Sequence, residues 1–304
     1  MKGTVLTGAL LWIAFGCLAL PAQDLAPRAY SSSPLGANFL VFGYSRNSGA
    51  IVFDPTIPVE DVTADINGLV VGYFRTLPVL GRLANVSAAL PYAEGSLQGT
   101  VAGEPTSIRR SGLADPRFRF AINLLGAKPL RPREFSKYRQ KTTLGASLTM
   151  TAPLGQYDPA RLINLGNHRW AFKPELGLSH AFNRLVVDFY VGAWLFPDNH
   201  QYYPGSSTRH QNPVTAFQAH LSYSFRPGLW AAFDATYYAG GQAFVDGLPR
   251  GHPLANSRLG ATLALPLKPH HSLKFAYSTG ASTRVGTDFR AFAISYQYLW
   301  FDKH

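Results

Sequence analysis

The feature of this sequence that most restricts its fold is a strict alternation of apolar and polar residues over about ten positions. The clearest case runs from Thr215 to Arg226. One set of alternate positions is apolar, with Phe217, Ala219, Leu221, Tyr223 and Phe225, and the other is polar, with Gln218, His220, Ser222, Ser224 and Arg226. Because successive side chains of a strand point to opposite faces, this pattern predicts a strand with one apolar and one polar face.

Composition indicates what the apolar face meets. Charged residues make up only 15% of the chain, whereas an ordinary soluble protein has roughly 25%. Beyond the N-terminus, no uninterrupted apolar stretch reaches the roughly 20 residues that a spanning helix needs. Helices and closed barrels are the only structures that pair every backbone group within hydrocarbon. The sequence therefore predicts an all-β fold, a closed antiparallel transmembrane β-barrel with lipid outside and water inside.

The alternation recurs in twelve segments, which predict a barrel spanning 37–301. We place the strands at 37–45, 65–75, 81–90, 115–124, 142–152, 168–180, 184–196, 214–226, 229–239, 256–266, 272–280 and 289–301. Short connections follow strands two, six, eight and ten, and longer ones rich in Gly, Pro and Asn follow strands one, three, five, seven and nine. Outer-membrane barrels have such short periplasmic turns and longer extracellular loops. The long connection from Gly126 to Lys141 does not fit this rule.

The N-terminus predicts export. Residues 1–22 have a basic start, an apolar centre and a Leu-Pro-Ala exit, which together are typical of a secretory signal peptide cleaved after Ala22. Two alternatives stay open: an uncleaved anchor helix, and a lipoprotein acylated at Cys17, where Phe15 stands at a position that usually holds a small residue. Export and an aromatic final strand predict the bacterial outer membrane as the location. Its lipids and the barrel-assembly machinery are then the expected partners.

Residues 23–36 separate the signal from the first strand. This N-terminal segment is predicted to be either a flexible periplasmic tail or a plug that enters the lumen, because Tyr30 and Leu35 give it side chains to bury.

Three stretches carry a resemblance to a known family: APRAYSSSPLGANFL, GLADPRFRFAINLLGA and TAPLGQYDPARLINLGNHRWAFKPELGLS. They resemble the outer-membrane β-barrel family associated with the meta-pathway of phenol degradation, over roughly 24–301. The resemblance implies a barrel that passes aromatic or other hydrophobic compounds across the outer membrane. A fold alone does not fix a function.

The polar face of the predicted barrel has an excess of positive charge, in a chain whose formal net charge is +11. No basic helix or Lys/Arg run points to nucleic acid. The residues predicted to face the lumen and bind solute are Arg117, Arg119, Arg169, Lys173, Arg258, Arg290, Tyr190, Trp194 and Trp230. All these arginines are expected near the extracellular mouth, as a basic ring that attracts anions and carboxylated aromatics. The alternative is that inward acids, a loop or the tail neutralise them, so that they only brace the barrel.

The function predicted from these features is passage of small solutes that are aromatic or hydrophobic, and in one reading anionic, through a channel or transporter. Twelve strands give a backbone radius of roughly 12 Å, which leaves room for one small solute at most. The histidines are too scattered to predict a metal site, and no G-x-S-x-G motif marks a nucleophile. We therefore expect no enzyme, catalytic residue, metal or cofactor. An outer-membrane hydrolase and a structural or adhesive barrel remain the alternatives.

Overall fold

The computed structural model describes residues 26–52, 59–101, 104–161, 163–250, 252–284 and 286–302. The predicted signal peptide, residues 1–22, lies outside them. The elements in chain order are β1 (Ala37–Val52), β2 (Val59–Val79), β3 (Arg82–Val101), β4 (Glu104–Leu113), β5 (Arg117–Leu125), α1 (Pro132–Phe135), β6 (Thr142–Thr151), β7 (Ala171–Phe182), β8 (Leu185–Trp194), β9 (Asn199–Tyr202), β10 (Ser207–Gln211), β11 (Val214–Arg226), β12 (Leu229–Gly240), β13 (Ala243–Val245), β14 (Leu248–Arg250), β15 (Leu254–Lys268), β16 (His271–Ser282) and β17 (Gly286–Phe301). No helix in these described ranges is long and apolar enough to cross a membrane.

The strands form a closed antiparallel barrel, as predicted. Pairing of β1 with both β2 and β17 joins the first and last parts of the chain. β4 and β5 pair with successive stretches of β3, so they form one interrupted strand and the barrel has twelve in total. The interruption, residues 114–116, contains Pro116, which has no backbone N–H to donate to a neighbouring strand.

Alternation sets the two faces of the wall. Along β11, Phe217 and Leu221 are about half exposed on the outside, whereas Gln218, His220 and Ser222 are buried on the inside. On the inner face, the Gln218 side-chain amide donates to Glu175 at 3.0 Å and His220 lies 2.7 Å from Asp234, so polar groups pair with side chains of other strands. This is the arrangement predicted for a strand between lipid and an aqueous lumen.

Two-residue turns lie at one end of the barrel, at 80–81, 183–184, 227–228 and 269–270. The first has positive φ at both residues, 49° at Leu80 and 71° at Gly81, as a tight hairpin turn requires. Short turns mark the periplasmic end of an outer-membrane barrel, and β1 begins and β17 ends at this same end.

The connection 126–141, too long for a simple turn, also lies at the periplasmic end. It contains α1, and its Phe135 packs against a lumen cluster formed by Ala37, Phe39, Val41, Phe74 and Leu299. The loop thus lies across the periplasmic opening of the barrel, and its Phe135 side chain helps to close that opening.

At the extracellular end the strands are longer than predicted. β2 and β3 have 21 and 20 residues, about 65 Å at 3.3 Å per residue, although the apolar band is only about 25 Å tall. The expected loop after the third strand is instead a ladder of β3 with β4. Above the membrane both faces of a strand meet water, so alternation no longer marks its end. A small sheet of β9, β10, β13 and β14 forms from two other loops.

Candidate functional site

The extracellular half of the lumen contains a cavity of about 400 Å³, within the range of about 300–1,000 Å³ common for small-molecule sites. Its wall comes from barrel strands and from the loop 152–170, which folds into the mouth. The charged residues that line it are Arg117, Arg169, Arg209, Arg258 and Asp115, and its aromatic residues are Tyr92, Trp194, Phe196 and Tyr238. Four arginines therefore face one carboxylate.

Asp115 holds the loop in place. One carboxylate oxygen accepts the Gly155 N–H at 2.9 Å, and the other accepts the Asn167 N–H at 2.8 Å and the Asn167 side-chain amide at 3.2 Å. These donors come from the loop 152–170, so the carboxylate oxygens are already occupied. The loop thereby narrows the extracellular mouth.

Arg169 is the most constrained of the cavity arginines. It is only 7% exposed, its Nη2 donates to the Gln211 side chain, and its Cζ lies 4.5 Å from the centre of the Phe196 ring. Its Nη1 is buried and has no hydrogen-bond partner among the described residues. Burial, followed by the nearby charge of Arg209, lowers the pKa of Arg169 to about 9. The group therefore remains a cation at neutral pH, and an anion placed beside it would stabilise its charge.

Trp194 lies between two cations at the base of the cavity. The Arg117 Cζ is 5.7 Å from the ring centre and the Lys173 Nζ is 5.4 Å from it. Lys173 is also paired with Glu175 at 2.9 Å, and both side chains are buried, so this charge is compensated. Arg258 donates from Nη2 to the neutral carbonyl of Phe289 at 2.7 Å. This contact does not compensate its positive charge, but Asp288 lies close enough to interact with it electrostatically.

Residues 26–36 lie in the periplasmic half of the lumen. The Tyr30 ring fits against Gly145 and Gly177, where an added Cβ would stand 2.2 and 2.1 Å from ring atoms. Its hydroxyl lies 2.9 Å from Ser147 Oγ and donates to Glu175 Oε1 at 3.0 Å. Two wall glycines thus make a slot for one buried aromatic ring of the tail.

The tail also contacts the neighbouring strands β8, β11 and β12. The Ala29 N–H donates to the Tyr190 hydroxyl at 3.0 Å, and the Arg28 N–H donates to Asp188 Oδ2 at 3.1 Å. The Arg28 guanidinium donates to Ser224 Oγ at 2.8 Å and lies 4.7 Å from the Trp230 ring centre. At its other end the Pro34 carbonyl accepts the Thr76 hydroxyl of β2 at 2.7 Å, so the segment spans the lumen from β2 to β12.

Of the nine residues predicted to bind solute, eight lie in the lumen, in two groups. Arg117, Arg169, Arg258 and Trp194 line the cavity, and Lys173 lies beside Trp194. Arg119, Tyr190 and Trp230 contact the tail, with the Arg119 Cζ 5.2 Å from the Tyr30 ring centre.

The prediction for Arg290 was wrong. Arg290 is exposed on the outer face of β17, whereas its neighbour Phe289 is 1% exposed and faces inward. Phe292 shares the outer face with it, and Ala293 shares the inner face with Phe289. The two-residue period, counted back from Phe292, assigns Arg290 to the outside, so the basic ring has one member fewer.

Sequence reasoning missed Arg209 and Asp115. Arg209 lies in β10, within a loop, where alternation between lipid and lumen gives no information. Asp115 and Asn167 lie in two of the stretches that carry the family resemblance, and the structure brings those stretches together. The position of Asp115 within a stretch that carries the family resemblance was the sequence feature that could have identified it.

The barrel wall contains part of the residue set that the hydrolase alternative requires, namely a histidine paired with an acid. His220 Nδ1 lies 2.7 Å from Asp234 Oδ1, and Thr262 donates to Asp234 Oδ2 at 2.9 Å. The His220 Nε2, which would activate a nucleophile, has no hydrogen-bond partner in the described part of the chain. Over the same residues, no three His, Cys, Asp or Glu side chains are grouped to hold a metal ion.

A closed twelve-stranded barrel with a polar lumen defines an outer-membrane type of β-barrel protein. Within that class, residues 44–298 match the profile of the family described as "Putative MetA-pathway of phenol degradation", and the chain belongs to this family.

Solved structures with a similar fold include the COG4313 outer membrane channel from Pseudomonas putida F1, at 19% identity and a TM-score of 0.78, covering 91% of this chain and 100% of that one. The β domain of the Bordetella autotransporter BrkA is 13% identical, with a TM-score of 0.50, covering 86% and 99%. The CymD monoaromatic hydrocarbon channel is 10% identical, with a TM-score of 0.47, covering 97% and 96%. No curated protein sequence matches the chain.

Proposed function

We propose that the protein is an outer-membrane channel for small aromatic solutes that carry a carboxylate or a similar anionic group. The observation that carries this proposal is the lumen cavity, in which four arginines face one acid whose oxygens are already occupied. Membership of a family named for phenol degradation, and similarity of fold to a protein named as an outer membrane channel, agree with it.

The two chemistries of such a solute match two features of the cavity. A carboxylate fits beside Arg169 and Arg209, where charge-assisted hydrogen bonds are the strongest polar contacts available. An aromatic ring fits beside the aromatic residues Tyr92, Phe196 and Tyr238, which line the same space. Because the passage is narrow and bounded by protein, the arginine field concentrates anions there, by about tenfold or more.

Passage beyond the cavity requires the tail to move. Residues 26–36 cross the periplasmic half of the lumen, and their contacts are a few hydrogen bonds and one buried ring rather than a strand ladder. None of these contacts belongs to the strand pairing of the barrel, so the segment can be displaced without unfolding the barrel. We propose that this segment is a plug that controls opening.

Reversal potentials in a salt gradient across a planar bilayer test the proposal. Wild-type protein is expected to prefer anions, and the triple variant R117Q/R169Q/R258Q to lose most of that preference. R250Q/R284Q/R290Q is the matched control, because it removes three exposed arginines that do not line the cavity. A wild-type pore that selects cations or ignores charge contradicts the anionic part of the proposal.

Uptake into liposomes tests separately whether the channel prefers aromatic solutes and whether it prefers anionic ones. Benzoate should enter faster than benzylamine, a cation of similar size, and faster than acetate, which lacks the ring. A protein that neither conducts nor transports would favour the hydrolase or the adhesive barrel.

A further inference from the structure

Charge is distributed unequally between the two ends of the barrel. At the extracellular end arginines lie beside acids, as in Arg46 with Asp65 at 2.6 Å and Arg161 with Asp158 at 2.9 Å. At the periplasmic end, outside the lumen, the described residues include eleven exposed cations against two acids, an excess of nine. The cations are Arg75, Arg82, Lys128, Arg131, Arg133, Lys137, Arg139, Lys141, Arg184, Arg226 and Lys268, and the acids are Glu134 and Asp302.

Six of these cations belong to the loop 126–141, named here the basic loop, which has a defined structure. The Leu35 N–H donates to the Leu130 carbonyl at 2.8 Å, and Phe135 packs into the apolar cluster inside the mouth. Both acids are already engaged. Glu134 accepts the Arg131 N–H at 3.1 Å, and Asp302 pairs with Arg75 at 2.9 Å. The basic loop thus presents positive charge to the periplasm on a fixed support.

A surface with charge of one sign indicates an oppositely charged partner, because most protein surfaces intersperse both signs. Phospholipid headgroups of the inner leaflet can reach Arg82, Arg184 and Lys268 at the tips of the turns. The basic loop, however, is held over the mouth by Phe135 and Leu130, both of which contact residues inside the barrel. A polyvalent partner in the periplasm can contact the loop and the turn tips together.

We propose that the periplasmic end, centred on the basic loop, is a docking surface for carboxylate-bearing peptide polymer, namely the acidic peptides of the cell wall. This surface lies outside the lumen, so the proposal stands apart from channel function. Contacts of this kind are many, individually weak and screened by salt, and they hold the barrel by summed attraction.

Co-sedimentation with isolated cell-wall sacculi tests the proposal, using the full-length protein in neutral detergent. Wild-type protein should pellet with sacculi at about 0.05 M salt and be released at about 0.5 M, where the screening length falls to a few ångströms. The variant K128Q/R133Q/K137Q/R139Q removes four exposed charges, and binding should fall at least tenfold. The control R161Q/R250Q/R284Q/R290Q removes four exposed arginines from the extracellular end and should bind like wild type. Retention of the folded, heat-modifiable band on gels shows that each variant still forms a barrel.

Two further probes distinguish the source of the negative charge. Soluble polyglutamate should compete with sacculi for wild-type protein, which would support recognition of carboxylates. Binding to anionic phospholipid vesicles but not to sacculi would overturn the proposal in favour of a lipid contact. Binding to polyglutamate alone would overturn it in favour of an acidic periplasmic protein. Equal binding of sacculi by wild type and the basic-loop variant would also refute it.

Discussion

Replacement of Tyr30 with alanine should open the channel without unfolding it. The ring is 1% exposed and fills a slot between Gly145 and Gly177, and its hydroxyl contacts Glu175 and Ser147. Loss of a buried aromatic side chain costs about 3–5 kcal/mol in protein cores. Here the cost falls on docking of the tail, because no barrel strand depends on Tyr30. A loss of about 3 kcal/mol lowers the ratio of docked to released tail about 100-fold.

Single-channel recording measures this change directly, as the fraction of time spent in the larger conductance state. That fraction should rise steeply in Y30A and less in Y30F, which keeps the ring and loses hydrogen bonds worth about 1–2 kcal/mol. G177A should also raise this fraction, because the Cβ of an alanine in the barrel wall at this position would stand 2.1 Å from the Tyr30 ring. If Y30A forms a folded barrel whose conductance equals that of wild type and Y30F, the tail does not close the lumen.

Three other outcomes follow from the fold. Leu221→Arg places a charge on the lipid face and should destabilise the barrel by about 2–4 kcal/mol in a folding titration if the residue lies at the bilayer midplane; a mild effect there would contradict the register. Asp115→Ala removes the acceptor for the loop 152–170, so limited proteolysis should cut this loop faster than in wild type, with Asp115→Asn intermediate; unchanged cleavage would show that other contacts hold it. An epitope inserted at Gly205 should be reached by antibody on intact cells, whereas one at Pro227 should not, and equal labelling would reject the orientation.

The wall of the barrel could be predicted from the sequence because one physical rule governs it. A membrane strand has lipid on one face and polar lumen on the other, and this contrast is visible in β11 and β12 as strict alternation. The rule also predicted where the short turns lie. The rule fails where both faces of a strand meet water, as in the extracellular parts of β2 and β3.

The interior of the lumen was harder to predict, since contacts between distant segments decide it. Alternation placed Arg169 and Trp194 on the inner face. It does not indicate which inward side chains line a cavity and which are covered by other segments. Glycines at 145 and 177 look like ordinary small strand residues, yet they form the slot for Tyr30. Asp115 reads as a turn residue until the loop 152–170 folds onto it.

Position along the barrel axis explains why the inward arginines cannot share one role. Arg169 faces a cavity, retains an unpartnered buried donor among the described residues, and so can act on a passing anion. Arg119 lies deeper, with its guanidinium over the Tyr30 ring and its Nη1 3.5 Å from Asn85 Oδ1, and so supports the segment that fills the lumen. In our proposal the two readings of the inward arginines, selection and bracing, therefore apply to different residues at different depths. We assign selection to the extracellular half and closure to the periplasmic half, because the tail occupies only the latter.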